Sequence, residues 1–512
     1  MTNIGASELS LSGVYDILFN EKKLRIAEHT VQEMQASFDF LKEISENKVV
    51  YGINTGLGPM AQFKIEPYEQ IDLQYNLIRS HASGTGEALR PVHVKAAMVC
   101  RLNTLSQARS GVHPDVADVL IAMVNNDVTP LIPVHGGVGA SGDLVQLAHL
   151  ALTVIGEGEV FYKGMRRPTA EVFKELNIKP LKVRLREGLG MINGTSVMSG
   201  IGIVSIIKSY HLLNWSLVTA AMINEVVSSF SDHFSEELNE VKHHAGQQKI
   251  AAALRTQMED SKLIRQRCDF PFDGTLKGNE YQQKIQEYYS LRCIPQILGP
   301  IYDTIENAEQ VLIAEVNSVS DNPVIDYKRK KVFHGGNFHG DYVSLEMDKL
   351  RLAVIKLSML AERQINYLMN DKLNGILPPF VNLGKKGLNL GMQGVQFTAT
   401  STVAENQSLG TSLYIHSIPN NNDNQDIVSM GANSALATDK VIDNSFEVMA
   451  IELLTLVQAI DYLKIRDKLS TSSRAVYDDI RALVPTFSED TSKYGELAKI
   501  KDYLKTKKLN II

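Results

Sequence analysis

Residues 341–372 read DYVSLEMDKLRLAVIKLSMLAERQINYLMNDK and contain neither glycine nor proline. Apolar residues recur there at spacings near three and four, at Leu345, Leu352, Ile355, Met359, Leu360 and Leu368. Residues at these spacings lie on one face of a helix, so the stretch predicts a single long amphipathic helix. Such a helix exceeds the usual globular length, and packing side by side in a bundle buries its apolar face.

Two further stretches without glycine or proline have the same character, at about 204–241 and about 432–466. Together the three predict a mainly α-helical protein built around long helices. Strand signals are few and short, at Glu159–Tyr162, Val183–Leu185 and Val324–Phe333.

The chain has 512 residues, of which 44% are hydrophobic and 21% charged, and a formal net charge of −6. This is the composition of a globular protein, and it provides no basic field for binding nucleic acid or an anionic membrane. The three cysteines have no CxxC spacing, so neither a disulfide framework nor a cysteine zinc site is expected.

The N-terminus lacks a basic segment followed by an apolar one, so no secretory signal is predicted. The longest uncharged run, about 188–207, contains five glycines and several polar residues, which favours a buried segment over a membrane span. These features predict a cytoplasmic location and no contact with membranes.

The first 200 residues have a different pattern, which predicts shorter helices joined by glycine-rich segments at 51–58, 83–86 and 135–142. Loops carried on a rigid scaffold often hold functional residues. We therefore predict a domain boundary near residue 200, with residues 1–200 containing the site and residues 201–512 forming the long-helix bundle and a C-terminal helical tail.

Residues 137–142 match G-x-G-x-x-G, and Glu157 lies near the position at which a dinucleotide-binding fold places an acid. The preceding segment contains Pro130 and Pro133, and a central parallel strand cannot lose two hydrogen-bond donors. No alternating strand–helix pattern follows. A nicotinamide-dependent oxidoreductase is therefore a minor alternative.

The same segment permits another chemistry. If the backbone is compressed, the nitrogen of Gly142 can attack the carbonyl carbon of Ala140, and loss of two waters, one involving the Ser141 hydroxyl, yields a methylidene-imidazolone ring. Small residues permit this close approach, and the product is an electrophile that ordinary side chains cannot supply. On the tripeptide alone, a plain tight turn remains the commoner explanation.

Further blocks accompany the tripeptide, and together they resemble the aromatic amino acid ammonia-lyases, most closely the bacterial tyrosine ammonia-lyases. The blocks are VYGINTG at 50–56, SHASG at 80–84, GVGASGDL at 137–144, LAH at 147–149, INGT at 192–195, YSLRC at 289–293, GNFHG at 336–340 and NQD at 424–426.

This resemblance implies a mainly α-helical ammonia-lyase (fumarase/aspartase-like) fold, with a smaller N-terminal part and a central helix bundle. It implies a homotetramer whose active sites are each assembled from three subunits. The prosthetic group would be 4-methylidene-imidazol-5-one (MIO), formed autocatalytically from Ala140, Ser141 and Gly142. The reaction would be non-oxidative removal of ammonia from a small aromatic L-amino acid.

The resemblance also assigns roles to residues. Tyr51 matches the base that removes the β-proton, and a tyrosine base needs positive charge, dipoles or hydrogen bonds that stabilise its phenolate. Arg292 matches the arginine that binds the substrate carboxylate through two parallel hydrogen bonds. The remaining matches lie around the carboxylate, the substrate ring or the prosthetic group, at Tyr289 (counted with Tyr51 as catalytic), Asn193, Gln286, Asn322 and Phe338.

Two positions bear on the substrate. His81 in the pair Ser80-His81 resembles the histidine ammonia-lyases, and its imidazole can bond a phenol or another imidazole. Gln425 stands where histidine-specific members carry a glutamate, so the charge-assisted bond to an imidazole donor is lost. This favours tyrosine, giving trans-p-coumarate and ammonia, over histidine giving urocanate, with phenylalanine third.

Other possibilities remain open from the sequence. An aminomutase of the same family would return a β-amino acid, and a non-enzymatic helical scaffold would have no reactive group. His334 and His339 lack obvious further ligands, so no metal site is expected. The segment from Tyr51 to about Lys64 has glycines suited to hinges and is a predicted lid over the site.

Overall fold

The computed structural model describes residues 1–269, 276–281 and 284–512. Helices dominate it, which confirms the mainly α class. The α-helices are Leu11–Phe19, Glu28–Asn47, Gln70–His81, Pro91–Ser106, Asp115–Asn125, Leu144–Val154, Thr169–Glu175, Glu187–Ile192, Ser196–Val226, Glu236–Glu240, Ala245–Gln257, Tyr289–Arg292, Ile294–Val316, Asp341–Met369, Asp371–Asn374, Gln393–Ser408, Gly431–Leu463, Thr471–Leu483 and Tyr494–Thr506.

The strands are short and form sheets of two or three. They are Thr2–Ile4, Leu24–Ile26, Thr85–Ala88, Thr129–Pro130, Pro133–His135, Glu159–Tyr162, Met165–Pro168, Leu276–Lys277, Glu280–Tyr281, Val324–Asp326 and Lys331–Phe333. The two strands before the glycine-rich loop pair antiparallel with Glu159–Tyr162 and Thr85–Ala88. A dinucleotide-binding fold needs a parallel strand at this point, so this geometry contradicts that alternative.

The chain divides into two compact units. The first contains residues 1–207, 308–348 and 412–439, and the second contains residues 208–307, 349–411 and 440–512. The first unit thus contains the N-terminal part and two later segments that sequence reasoning assigned to residues 201–512. The 1–200 and 201–512 division into domains stays a prediction.

The long helices agree with the sequence periodicity except in one place. Asp341–Met369 and Gly431–Leu463 lie within about three residues of their predicted bounds. The helix predicted to run to residue 241 ends at Val226, so this prediction was wrong. Ser228 has a positive φ of 50°, and Ser235 caps a new short helix by accepting a hydrogen bond from the Leu238 N–H.

The predicted strands at Glu159–Tyr162 and within Val324–Phe333 are present, the latter as an antiparallel pair. The strand predicted at Val183–Leu185 is absent from the described structure. There the Val183 N–H donates to the Tyr75 hydroxyl at 3.1 Å, and the Arg184 N–H donates to the Glu187 carboxylate at 2.5 Å. Side chains, rather than a neighbouring strand, satisfy this backbone.

In the first unit the long helices pack through small residues. A Cβ on Gly202 would lie 3.1 Å from a side-chain atom of Leu312, and one on Gly200 would lie 2.5 Å from the backbone of Ala97. Among the described residues, Ser196–Val226 alone has the length and apolarity to cross a bilayer, and 78% of its most apolar window is buried. Such burial is the pattern of a core helix.

Candidate active site

The loop that contains Ala140, Ser141 and Gly142 is held in a conformation that two glycines permit. Gly139 and Gly142 have positive φ angles of 78° and 70°. A Cβ on Gly142 would lie 2.0 Å from the carbonyl oxygen of Gly194, and one on Gly139 would lie 2.0 Å from the Ser429 hydroxyl. Any side chain at either position therefore collides with the surrounding structure.

Ser141 is contacted from two sides. The Asn193 amide donates to the Ser141 carbonyl oxygen at 3.1 Å, and the Gln425 amide donates to the Ser141 hydroxyl oxygen at 3.0 Å. The ring of His339 lies 3.3 Å from the carbonyl oxygen of Ala140 through Nδ1. The serine of the tripeptide is thus oriented by residues that are far apart in the sequence.

Asp143 anchors the end of the loop. Its carboxylate accepts hydrogen bonds from the N–H groups of Val197 and Met198, at 2.8 and 2.9 Å, at the start of the helix Ser196–Val226. Its own N–H donates to the Gly194 carbonyl at 2.8 Å. Burial nevertheless raises the pKa of the Asp143 carboxyl to about 7.

Tyr51 lies in the turn that begins the predicted lid. The Gly58 N–H donates to the Tyr51 phenolic oxygen at 2.9 Å. This contact fixes the position of the phenolic oxygen that the sequence assigns as the base. Two hydrogen bonds close the turn. The Gly52 N–H donates to the Thr55 hydroxyl oxygen at 3.0 Å, and the Gly56 N–H donates to the Phe63 carbonyl oxygen at 2.8 Å.

Two further residues hold this turn. Gln74 was not predicted from the sequence, and His334 was considered there only as a metal ligand. Gln74 is fully buried, and its amide donates to the Gly52 carbonyl and accepts from the Leu189 N–H, each at 3.0 Å. His334 accepts the Tyr51 N–H through Nε2 at 3.4 Å. Burial, together with the nearby Arg186 charge, lowers the pKa of His334 and favours this neutral acceptor. A buried glutamine on a helix gives no local sequence signal of such a role.

His81 ends the helix Gln70–His81, and its ring orientation is set locally. Nδ1 lies 3.0 Å from the Leu77 carbonyl oxygen and 3.0 Å from the Ser80 hydroxyl oxygen. A ring protonated on Nδ1 donates to the carbonyl and leaves Nε2 as an acceptor, whereas a ring protonated on Nε2 accepts the Ser80 O–H. The wall formed by this helix presents Leu73, Asn76, Leu77, Ser80 and His81 to one cavity.

That cavity has a volume of about 690 Å³ and lies within the first unit. Of the predicted site residues, it is lined by Tyr51, His81, Ser141, Asn193, Asn322, Phe338 and Gln425. Asn421 and Asn424 from the same loop as Gln425 also line it, and Asn421 was not predicted. Among the described residues that line it, there is no lysine or arginine.

Ala140 and Gly142 flank Ser141 in the loop, and the three remaining predicted site residues lie in the second unit. Gln286 and Tyr289 line a cavity of about 640 Å³ there, and Gln286 and Arg292 line another of about 480 Å³. Tyr289 is 69% exposed, and the Arg292 guanidinium lies 4.9 Å from the centre of its ring. None of these three lines the cavity that contains Ser141. Their roles, like those of the residues lining the first cavity, stay predictions.

Comparison with known proteins shows the family of this chain. A family model described as "Aromatic amino acid lyase" matches residues 9–482. The chain belongs to the aromatic amino acid lyase family. As a member it is a carbon–nitrogen lyase, which confirms the predicted enzyme class.

Relatives in this family carry out more than one reaction. The chain is 38% identical over 465 residues to a tyrosine 2,3-aminomutase of Myxococcus sp. (strain Mx-B0), covering 90% of this chain and 88% of that one. It is 34% identical over 499 residues to a histidine ammonia-lyase of Stigmatella aurantiaca, covering 97% and 95%. A solved tyrosine aminomutase from Streptomyces globisporus superposes with a TM-score of 0.95 at 34% identity, covering 98% and 96%, which confirms the ammonia-lyase fold.

Enzymes of the aromatic amino acid lyase family act on small aromatic amino acids and are generally MIO-dependent. The loop of this chain fits that group. Glycine occupies the position where a Cβ would collide with Gly194, and Asn193 and Gln425 donate to the two oxygen atoms of Ser141.

Proposed function

We propose that this enzyme removes ammonia from L-tyrosine and releases trans-p-coumarate, using MIO formed from Ala140, Ser141 and Gly142. The observation that carries the choice of substrate is the orientation of His81. We assign the proton on Nδ1 to the bond with the Leu77 carbonyl oxygen, because that oxygen can only accept, and Nε2 is then available to accept a phenolic O–H. Phenylalanine has no such donor and would leave Nε2 unpaired.

Gln425 supports tyrosine over histidine. Its amide nitrogen donates to the Ser141 hydroxyl oxygen, and it presents no negative charge to an imidazole. A carboxylate at this position would attract an imidazole donor through a charge-assisted bond, and more strongly an imidazolium. The neutral amide removes that preference.

Once formed, MIO supplies an electrophile that makes the substrate amine a better leaving group. The remaining chemistry belongs to the side chains. Tyr51, with the Gly58 N–H on its oxygen, removes the β-proton. Before the ring forms, Asn193 and Gln425 hold Ser141 in place. During the reaction the lid that begins at Tyr51 excludes water.

The substrate carboxylate requires a cation, and none of the described residues lining the cavity supplies one. We therefore propose a homotetramer in which the Arg292, Tyr289 and Gln286 of other copies complete each site. Arg292 forms two parallel hydrogen bonds to the carboxylate. Two measurements test this arrangement. The first is the mass of the native protein in solution, and the second is the restoration of activity when Arg292→Ala and Tyr51→Phe chains are mixed. A fully active monomer would contradict it.

A tyrosine aminomutase is the second candidate, because relatives with that name cover nearly the whole chain. A mutase and a lyase share the elimination step and differ in whether the product is retained for re-addition of ammonia. The test incubates the enzyme in parallel with tyrosine, histidine and phenylalanine. Absorbance follows the corresponding products, which are coumarate, urocanate and cinnamate. Chromatography for β-tyrosine completes the assay. Coumarate as the dominant product supports the proposal, and dominant β-tyrosine or urocanate contradicts it.

A further inference from the structure

Three charged residues form a buried cluster behind the cavity wall of the first unit. The side chains of Arg101, Arg186 and Asp321 have no exposed surface. Arg186 donates to the Asp321 carboxylate at 2.9 Å, and Arg101 lies 3.7 Å from the other carboxylate oxygen. The mechanism proposed above does not use any of the three.

Arg101 connects this cluster to Ser141. Its guanidinium donates to the Asn193 carbonyl at 2.9 Å and also to the Gly190 carbonyl. A Cβ on Gly194 would lie 2.3 Å from the same guanidinium, so the arginine packs directly on this turn. The side chain of Asn193 in turn donates to the Ser141 carbonyl at 3.1 Å.

Asp321 connects the cluster to a second part of the cavity lining. Its carboxylate accepts the Asn322 N–H at 2.7 Å, and Asn322 lines the cavity. Arg186 holds the following residue by donating to the Pro323 carbonyl at 2.8 Å. Arg186 itself has a φ of 65°, an uncommon conformation for a residue with a side chain, which its buried contacts must maintain.

We propose that Arg101 is a positioning residue that, together with Asp321 and Arg186, sets the placement of Asn193 and Asn322 around Ser141. A buried ion pair is weak evidence for stability, because the cost of removing its charges from water offsets their attraction. Burial lowers the pKa of Arg101 to about 10, so the guanidinium remains charged at neutral pH. Its planar, forked guanidinium bonds two carbonyls of one turn through two different nitrogen atoms, a donor spacing that the single nitrogen of a lysine does not reproduce.

The test is Arg101→Lys, which keeps the charge and removes the fork. The fraction of subunits that carry the ring is measured by near-UV absorbance, with Ser141→Ala as the blank, and by labelling with borohydride. Melting temperature, kcat and KM for tyrosine are measured on the same samples. We expect the ring-bearing fraction to fall severalfold and kcat per ring to fall roughly 10²-fold, the cost of a displacement of about 1 Å near the chemistry.

Arg109→Lys is the matched control, because Arg109 pairs with Asp326 at 2.8 Å in the same unit. It should retain the wild-type ring fraction and kcat. Should Arg101→Lys not fold, Asp321→Asn keeps an acceptor for the Asn322 N–H and removes the central charge. A wild-type ring fraction and kcat per ring in the folded variant would overturn the proposal, whatever its melting temperature.

This inference rests on the proposed function in two ways: the ring fraction needs the ring to form, and the kinetic readout needs tyrosine as the substrate. The ring fraction does not depend on which amino acid is the substrate. Wild-type protein that carries the ring but makes no coumarate refutes tyrosine as the substrate and leaves the Arg101 comparison decisive. Wild-type protein that carries no ring refutes both.

Discussion

The amide of Gln425 donates a hydrogen bond of 3.0 Å to the hydroxyl oxygen of Ser141. This contact joins the glycine-rich loop to a segment nearly three hundred residues later in the chain. It places the residue expected to distinguish tyrosine from histidine directly on the serine expected to lose its hydroxyl. In the proposed function, Gln425 therefore acts on Ser141 before the ring forms and on the substrate afterwards.

Replacing Ser141 with alanine should abolish the ring and the activity while leaving the fold intact. Alanine lacks the hydroxyl that must leave as water, and its methyl group fits the same space. The near-UV absorbance of the ring should disappear, and coumarate production should fall to background. Ser408→Ala, at an exposed serine, serves as the control. Normal turnover by Ser141→Ala would falsify the cofactor assignment.

Replacing Tyr51 with phenylalanine should keep the ring and remove most of the rate. The Gly58 N–H loses its acceptor, and the β-proton loses its base. We expect kcat to fall by about 10²–10⁴, the usual contribution of a general base. Absorbance and borohydride labelling should match wild type. Tyr68→Phe is the control, because Tyr68 is 80% exposed. An unchanged kcat would remove the role of base from Tyr51.

Replacing His81 with leucine should shift preference from tyrosine toward phenylalanine. The phenolic O–H then faces an apolar side chain, and each unpaired polar group costs on the order of 1–3 kcal/mol. The ratio of kcat/KM for tyrosine to that for phenylalanine should fall roughly 5- to 150-fold. His243→Leu, at an exposed histidine, should leave the ratio unchanged. If His81→Leu also leaves it unchanged, His81 does not contact the phenol.

The long helix Gly431–Leu463 provides a prediction about stability. Glu452 is fully buried on it, and burial raises the pKa of its carboxyl from 4.5 to about 8. The unfolded chain releases this proton at lower pH than the folded protein does. The carboxyl therefore favours folding fully only below about pH 4.5, and that contribution is lost as pH rises through about 8.

Glu452→Gln should remove this pH dependence. Each pKa unit corresponds to about 1.4 kcal/mol, so the free energy of unfolding of the variant should rise relative to wild type by a few kcal/mol between pH 5 and pH 9. Denaturant titrations across this range measure the difference. Glu447→Gln, on the same helix and paired with Lys501, is the control. Parallel curves for wild type and Glu452→Gln would contradict the prediction.

Much of the fold and of the site could be predicted without coordinates, because the relevant signals are local. Helical periodicity in 341–372 reports which face is apolar, and the backbone geometry of a helix makes that pattern sufficient. The tripeptide Ala140-Ser141-Gly142 permits ring formation, but only the accompanying motif blocks made this chemistry a prediction. The end of the helix at Val226 was not predictable in this way, because neither glycine nor proline marks it.

The sequence by itself therefore determined most of the long helices, and the resemblance of its motifs to a known family predicted the cofactor-forming tripeptide and the polar residues around it. Only the tertiary structure decided that Gln74 and His334 hold the turn of Tyr51, that Arg101 supports Asn193, and that Arg292 does not line the cavity with Ser141. These contacts join segments separated by tens to hundreds of residues. Such pairings depend on how the whole chain packs, and no local pattern of side chains specifies them.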